Sequence, residues 1–178
     1  MKKYLIILVC VCLCACLCGC VSTRQVRNQS LEVAKFDVNN FNGNYANKAD
    51  SNTVGYLFSD LHPENIFRKN KQYPSKQAII NLKFDGKKTL TVTTIDNNDI
   101  FSEVKLKGKI KENYFSVRRK LLLIPIPMLF YIHQENKILL GNDKNGNLIL
   151  KSGFSNTVFI LIIGGNNGIS QSQFKKMK

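Results

Sequence analysis

From Gln77 onward the chain is a train of short runs rich in Ile, Leu, Val, Phe and Thr, and no helical spacing of apolar residues reappears. Turn-forming residues cut the train at Asp85-Gly86, Asp96 to Asp99, Glu112-Asn113, Glu135-Asn136, Asn145-Gly146 and Gly164 to Gly168. Strand-length runs joined by such short connections pair with their sequence neighbours, so the pattern predicts an antiparallel meander. About eight to ten strands fit the length, enough to close into a barrel or barrel-like sheet. The fold class is mainly β.

Side chains alternate along a strand, so a wrong loop length sends the apolar residues of a hairpin to opposite faces. At the first hairpin, the three-residue loop Asp85-Gly86-Lys87 pairs Phe84 with Lys88, Leu82 with Leu90 and Ile80 with Val92. That loop unites the apolar set and is the one expected. At Glu112-Asn113 a two-residue loop pairs Lys111 with Tyr114, Lys109 with Ser116, Lys107 with Arg118 and Lys105 with Lys120. The opposite face then holds Ile110 with Phe115, Gly108 with Val117, Leu106 with Arg119 and Val104 with Leu121. Lys105, Lys107, Lys109, Lys111, Arg118 and Lys120 form a candidate surface for anionic phosphates or carboxylates. Like charges directly opposite one another disfavour the pairing. The competing reading is a solvated outer face whose lysines deter sheet-edge aggregation.

Two later runs are apolar in both parities: Leu121 to Tyr131, interrupted by Pro125 and Pro127, and Val158 to Ile163. Proline removes ladder donors, so a bulge, corner or break is expected near Pro125. Phe115 to Ile124 and Met128 to Gln134 read as segments of one bent strand or as successive strands. The surplus apolar surface fits core packing, a cavity for an apolar ligand, or a patch facing a partner protein or bilayer. The strands lack the regular alternation of a transmembrane barrel.

Before the meander, Val54, Leu57, Phe58 and Leu61 share one helical face and Pro63 stops it, which predicts one short helix near 53–61. Val21 to Lys35 is polar without a period and reads as a tether. Gly43-Asn44-Tyr45 opens a strand and resembles the Gly-x-Trp start of lipocalins, with Tyr in place of Trp.

All six cysteines, Cys10, Cys12, Cys14, Cys16, Cys18 and Cys20, lie within an apolar run that follows Met1-Lys2-Lys3. Alternate residues of a helix do not share a face, so these thiols do not converge on a metal. A charged start followed by an apolar core has the order of an export signal. The run ends in Leu17-Cys18-Gly19-Cys20, which resembles the lipobox of bacterial lipoproteins, in which the chain is cut before a cysteine that then carries the lipid. The resemblance implies a signal peptide over 1–19, acylation at Cys20, a tether over 20–35 and one β-rich domain over 36–178. Leu13-Cys14-Ala15-Cys16 is a second such motif, with Cys16 as its acceptor. With no Asp after Cys20, the resemblance further implies the outer membrane of a Gram-negative bacterium, and with no acidic cluster over Val21 to Arg27, of the kind that surface-export signals of some lipoproteins carry, it favours the periplasmic face. The anchored chain would keep no thiol for a disulfide.

Without Lys2 and Lys3 the chain keeps 24 basic residues against 12 acidic ones, a net charge of +12. Such an excess attracts anionic partners. An exported location makes nucleic acid the poorest of these, leaving a lipid, an anionic glycan or an envelope protein partner. Neither His62, beside Asp60, nor His133, near a strand end, sits in a recognisable catalytic or metal motif. Asp143 to Asn147 lacks the later acidic ligands of a calcium loop and reads as a turn. No cofactor, metal ligand or catalytic residue is expected. The leading expectation is a non-enzymatic envelope lipoprotein. The alternative is an unrecognised or degenerate hydrolase on a β-barrel scaffold.

Overall fold

The computed structural model describes residues 21–50, 55–62, 72–118, 120–126, 130–160 and 162–177, without the side chains of 120–126, 130–134, 157–160 and 162–165. The 1–19 segment, Cys16 and Cys20 lie outside the described residues. In chain order the elements are α1 (Thr23–Arg27), α2 (Val38–Phe41), β1 (Gly43–Ala46), α3 (Leu57–Leu61), β2 (Ile79–Phe84), β3 (Thr89–Asp96), β4 (Asp99–Lys111), β5 (Tyr114–Val117), β6 (Lys120–Ile126), β7 (Phe130–Asn142), β8 (Leu148–Ile160), β9 (Ile162–Phe174) and β10 (Lys176–Met177). The strands form one antiparallel sheet in the order β10-β1-β2-β3-β4-β5-β7-β8-β9, with β6 paired to β7. This is the expected mainly β meander.

The turns explain much of the order. Asn97 and Asn98 at β3–β4, and Glu112 and Asn113 at β4–β5, all have positive φ. Such two-residue turns match the right-handed twist of the strands they join. At β2–β3 the alternation holds but the register differs from expectation: Phe84 pairs with Leu90 and Leu82 with Val92. The cause is Asp85, whose Oδ1 accepts the N–H groups of Lys87, Lys88 and Thr89 at 2.7–2.9 Å. That carboxylate holds a longer loop and shifts the pairing by two residues, which leaves every side chain on its expected face.

Other expectations need correction. Glu135-Asn136 is the middle of β7 and Gly164 to Gly168 lies inside β9. Glu135 tolerates strand burial because Lys137 Nζ lies 3.2 Å from its carboxylate. The single helix expected at 53–61 is found at Leu57–Leu61, and two further short helices precede it. Tyr56 contributes no capping side chain to α3; instead Asn47 Oδ1, across the chain, accepts the Phe58 N–H at 3.0 Å.

The inner face gathers Ile80, Leu82, Leu90 and Val92 from β2 and β3 and Ile138, Leu140, Leu148, Leu150 and Phe174 from β7 to β9 into one cluster. Leu57, Phe58 and Leu61 join it from α3. Aromatic rings meet inside it, with Phe84–Phe115 centroids 5.2 Å apart and Phe41–Phe115 centroids 6.3 Å apart. Tyr45 is fully buried; its hydroxyl donates to the Phe41 carbonyl at 2.8 Å and accepts from Asn142 Nδ2 at 3.0 Å. Burial pushes its pKa up to about 12.

The segment expected as a free polar tether is instead docked on the outer face of the sheet. Ser22 Oγ accepts the Gln25 N–H and Gln25 Oε1 accepts the Ser22 N–H, a capping box that starts α1. Val21, Val26 and Val33 then pack with Tyr114 and Leu139. The sheet makes room with glycines: a Cβ on Gly153 would meet Val26 at 2.5 Å, and one on Gly141 would meet Val33 at 2.5 Å. Lys151, 1% exposed, donates to the Arg27 and Gln29 carbonyls at 2.9 Å each. Lys137 donates to the Val21 carbonyl. Two sheet lysines thus hold the strap by its backbone.

Candidate functional site

The basic hairpin forms in the expected register near its turn: Lys111 pairs with Tyr114, Lys109 with Ser116, Ile110 with Phe115 and Gly108 with Val117. Lys105, Lys107, Lys109 and Lys111 occupy alternate positions of β4 and are all exposed. Alternate residues of a strand lie roughly 6.7 Å apart, so these ammonium groups form an evenly spaced row. Arg118, also exposed, stays beside β4 through its N–H, which donates to the Lys107 carbonyl at 2.7 Å.

Lys120 does not join this row. Beyond Arg118 the chain leaves β4, and Lys120 pairs with Asn136 of β7. β5 and β6 face β7 in registers that differ by one residue, Phe115 with Leu140 but Lys120 with Asn136. The backbone pairing therefore carries Lys120 onto β7, away from the expected pairing with Lys105. β4 meanwhile turns onto β3, pairing Lys105 with Thr91 and Lys107 with Thr89. Lys105, Lys107 and Lys109 therefore stand opposite threonine and serine, and Lys111 opposite Tyr114, rather than opposite one another, and the repulsion expected from a lysine-on-lysine grid is avoided.

Sequence reasoning missed the far side of this surface. Thr91 also pairs with Lys83 of β2, which is exposed. Lys83, Thr91 and Lys105 form a row across three strands, and Lys87 and Lys88 flank it from the β2–β3 turn. Only the pairing of β3 between β2 and β4 reveals the row. Among the described residues no carboxylate lies within ion-pair range of Lys83, Lys105, Lys107 or Lys109. Glu112 is the acidic neighbour at the turn, where Arg27 of the strap engages it and Lys111 approaches to 3.9 Å.

A second cluster lies at the inner face under α3. His62, 6% exposed, stacks on Phe58 with centroids 4.1 Å apart. Its Nδ1 lies 3.0 Å from the Phe58 carbonyl and its Nε2 lies 3.2 Å from Ser102 Oγ. With the proton on Nδ1, the ring donates to Phe58 and accepts from the Ser102 hydroxyl. Ser102 pairs with Thr94, whose buried hydroxyl has no hydrogen-bond partner among the described residues. Nothing in the sequence links His62 to a serine forty positions away on another strand. Asp60, which sequence reasoning placed beside His62, is half-buried, and burial raises its pKa from 3.8 to about 6. The His133 side chain is not described, but its backbone pairs with Leu123 and Thr157 in mid-strand, not at a strand end.

The Asp143 turn uses its carboxylate internally: Oδ1 accepts from the Asn145 and Asn147 N–H groups, and Oδ2 from Asn147 Nδ2 and Gln173 Nε2. Among the described residues no three His, Cys, Asp or Glu side chains gather as a metal site. Nor is any described helix long and apolar enough to cross a membrane. Compared with known proteins, the chain matches no family model, no curated protein and no solved structure.

Proposed function

We propose that this chain is a lipid-anchored, non-enzymatic envelope protein whose lysine-covered sheet face binds an anionic envelope component. The observation that carries the reading is the row Lys105, Lys107, Lys109 and Lys111, exposed, with Lys83 and Arg118 beside it. Regularly spaced ammonium groups suit a repeating phosphate or carboxylate polymer, because each contact adds without the protein rearranging. Acylation of Cys20, on the lipobox resemblance of Leu17-Cys18-Gly19-Cys20, would hold this face at the outer membrane, with the periplasmic side favoured. Lys105→Glu, Lys107→Glu and Lys109→Glu combined should abolish retention of the folded protein on an immobilised polyphosphate. Unchanged retention would retire the proposal.

The barrel belongs to the same reading. β9 and β10 are one run of chain broken only at Lys175; β9 pairs with β8 and β10 with β1. The Lys175 carbonyl also accepts the Ala46 N–H at 2.9 Å. A strand bent at Lys175 would thus join the two ends of the sheet into a barrel filled by aromatic rings.

The His62–Ser102 contact favours the second reading, a hydrolase with a serine nucleophile and a histidine base, since 3.2 Å is within proton-transfer reach. Labelling of Ser102 by a fluorophosphonate, lost in Ser102→Ala, would support it; absence of labelling assigns the pair to packing.

A further inference from the structure

β4 has partners on both sides along only part of its length. β3 lies against it from Asp99 to Lys107, and β5 from Gly108 to Lys111. On the β5 side the Arg118 N–H still donates to the Lys107 carbonyl at 2.7 Å, and then the chain goes over to β7 as β6. Among the described residues no strand pairs with that side of β4 from Ser102 to Leu106. In an antiparallel ladder the N–H and C=O of one residue point the same way, and the direction alternates from residue to residue. The Gly108 N–H reaches the Lys88 carbonyl on the β3 side, whereas the Lys107 carbonyl faces Arg118. Glu103 and Lys105 share the parity of Lys107, so their N–H and C=O groups point off the edge of the sheet. Both residues are exposed.

We infer that this open edge of β4 takes an extended segment of another protein, added antiparallel, with acidic residues on its outer face and apolar residues on its inner face. Strand addition draws affinity from main-chain hydrogen bonds and selectivity from alternate side chains. The inner positions are set by Val104 and Leu106, which pack on the core cluster yet stay half-buried. Apolar side chains on an added strand would cover them. The outer positions are set by Lys105 and Lys107, both exposed and with no carboxylate in ion-pair range among the described residues. An acid placed opposite Lys105 is also a diagonal neighbour of Lys107. A second copy of the chain fits less well. Two β4 edges laid antiparallel about Val104 overlap only from Ser102 to Leu106 before Arg118 and β5 of the other copy occupy the edge. A polymer on the lysine face needs side-chain charge alone, whereas the edge needs backbone groups as well, so either can fail without the other.

The probe is a fluorescein-labelled peptide, Glu-Val-Glu-Val-Thr-Val. In antiparallel register it sets its second Glu opposite Lys105, its Thr opposite Glu103 and its valines opposite Leu106, Val104 and Ser102. Binding to the full-length protein is read by fluorescence anisotropy. N-methylation of the second Glu and the Thr removes the two N–H groups that face β4, and affinity should fall by roughly tenfold or more. N-methylation of the first two valines alters N–H groups that face away and should change affinity little. Gln in place of both Glu residues should weaken binding several-fold. In the complex, amide exchange at Glu103 and Lys105 should slow by roughly tenfold. Equal affinities of the two methylated peptides, or unchanged exchange at Glu103 and Lys105 with peptide bound, overturn strand addition. A Gln peptide that binds as tightly as the Glu peptide overturns the acidic partner. Exchange at Glu103 and Lys105 that slows as the free protein is concentrated assigns the edge to a second copy and overturns a foreign segment. No binding of any peptide overturns the edge whether or not polyphosphate binds; peptide bound with polyphosphate unbound retires the lysine face alone.

Discussion

Replacing Asp60 by Asn should stabilise the protein at neutral pH and do little in acid. Burial raises the Asp60 pKa from 3.8 to about 6, so folding favours the protonated carboxyl. Below pH 3.8 both states are protonated and folding carries no penalty. As pH rises toward 6 the unfolded chain ionises first, so stability is lost across that window and the loss is constant above it. The gap between the two values corresponds to about 3 kcal/mol. Asp60 is only half-buried, and solvent screening reduces the expected penalty to about 1–2 kcal/mol. Asn has nearly the same shape and no charge to bury, so Asp60→Asn recovers that amount above pH 6. Urea unfolding followed by circular dichroism at pH 4 and pH 7.5 measures it. With a slope of about 2 kcal/mol per molar, the midpoint of the variant should rise by about 0.5–1 M at pH 7.5 and stay near wild type at pH 4. Equal midpoint shifts at both pH values would refute burial of the carboxyl as the cause.

Lys151→Met should free the strap, because Lys151 holds the Arg27 and Gln29 carbonyls; cleavage by trypsin after Arg24 and Arg27 should speed up at least tenfold. Gly153→Val should do the same by filling the space of Val26, since even a Cβ there approaches to 2.5 Å. Tyr45→Phe leaves the buried Asn142 amide with one partner fewer and should cost about 1–3 kcal/mol in urea unfolding. Metabolic labelling with palmitate should be lost in Cys20→Ser and kept in Cys16→Ser; the opposite result assigns the anchor to the earlier motif.

Local alternation made the sheet legible. Lys109 with Ser116 and Ile110 with Phe115 follow from a period of 2 and a two-residue turn, and the structure pairs them so. The β2–β3 loop kept its parity but not its register, because three N–H groups converging on Asp85 are a preference of the folded loop, not of an apolar pattern. Lys120 pairs with Asn136 rather than with Lys105 because the chain changes register by one residue against β7 between β5 and β6, which alternation alone does not reveal. The strap was invisible for a different reason: Val21, Val26 and Val33 follow no helical or strand period, and their receiving glycines, Gly141 and Gly153, lie over a hundred residues away. Gly168 carries a turn signature, yet it sits in β9 where the Phe154 ring covers it, within 2.6 Å of where a Cβ would be. His62 and Ser102 meet only through the packing of α3 on β4.

The lysine face is tested most directly by the salt dependence of its binding. Affinity of the wild-type protein for polyphosphate should fall linearly on a log–log plot against salt, and Lys105→Gln, Lys107→Gln and Lys109→Gln combined should flatten the slope by roughly 2. An unaltered slope would mean that these lysines release no counterions and that the anionic partner, if one binds, sits elsewhere.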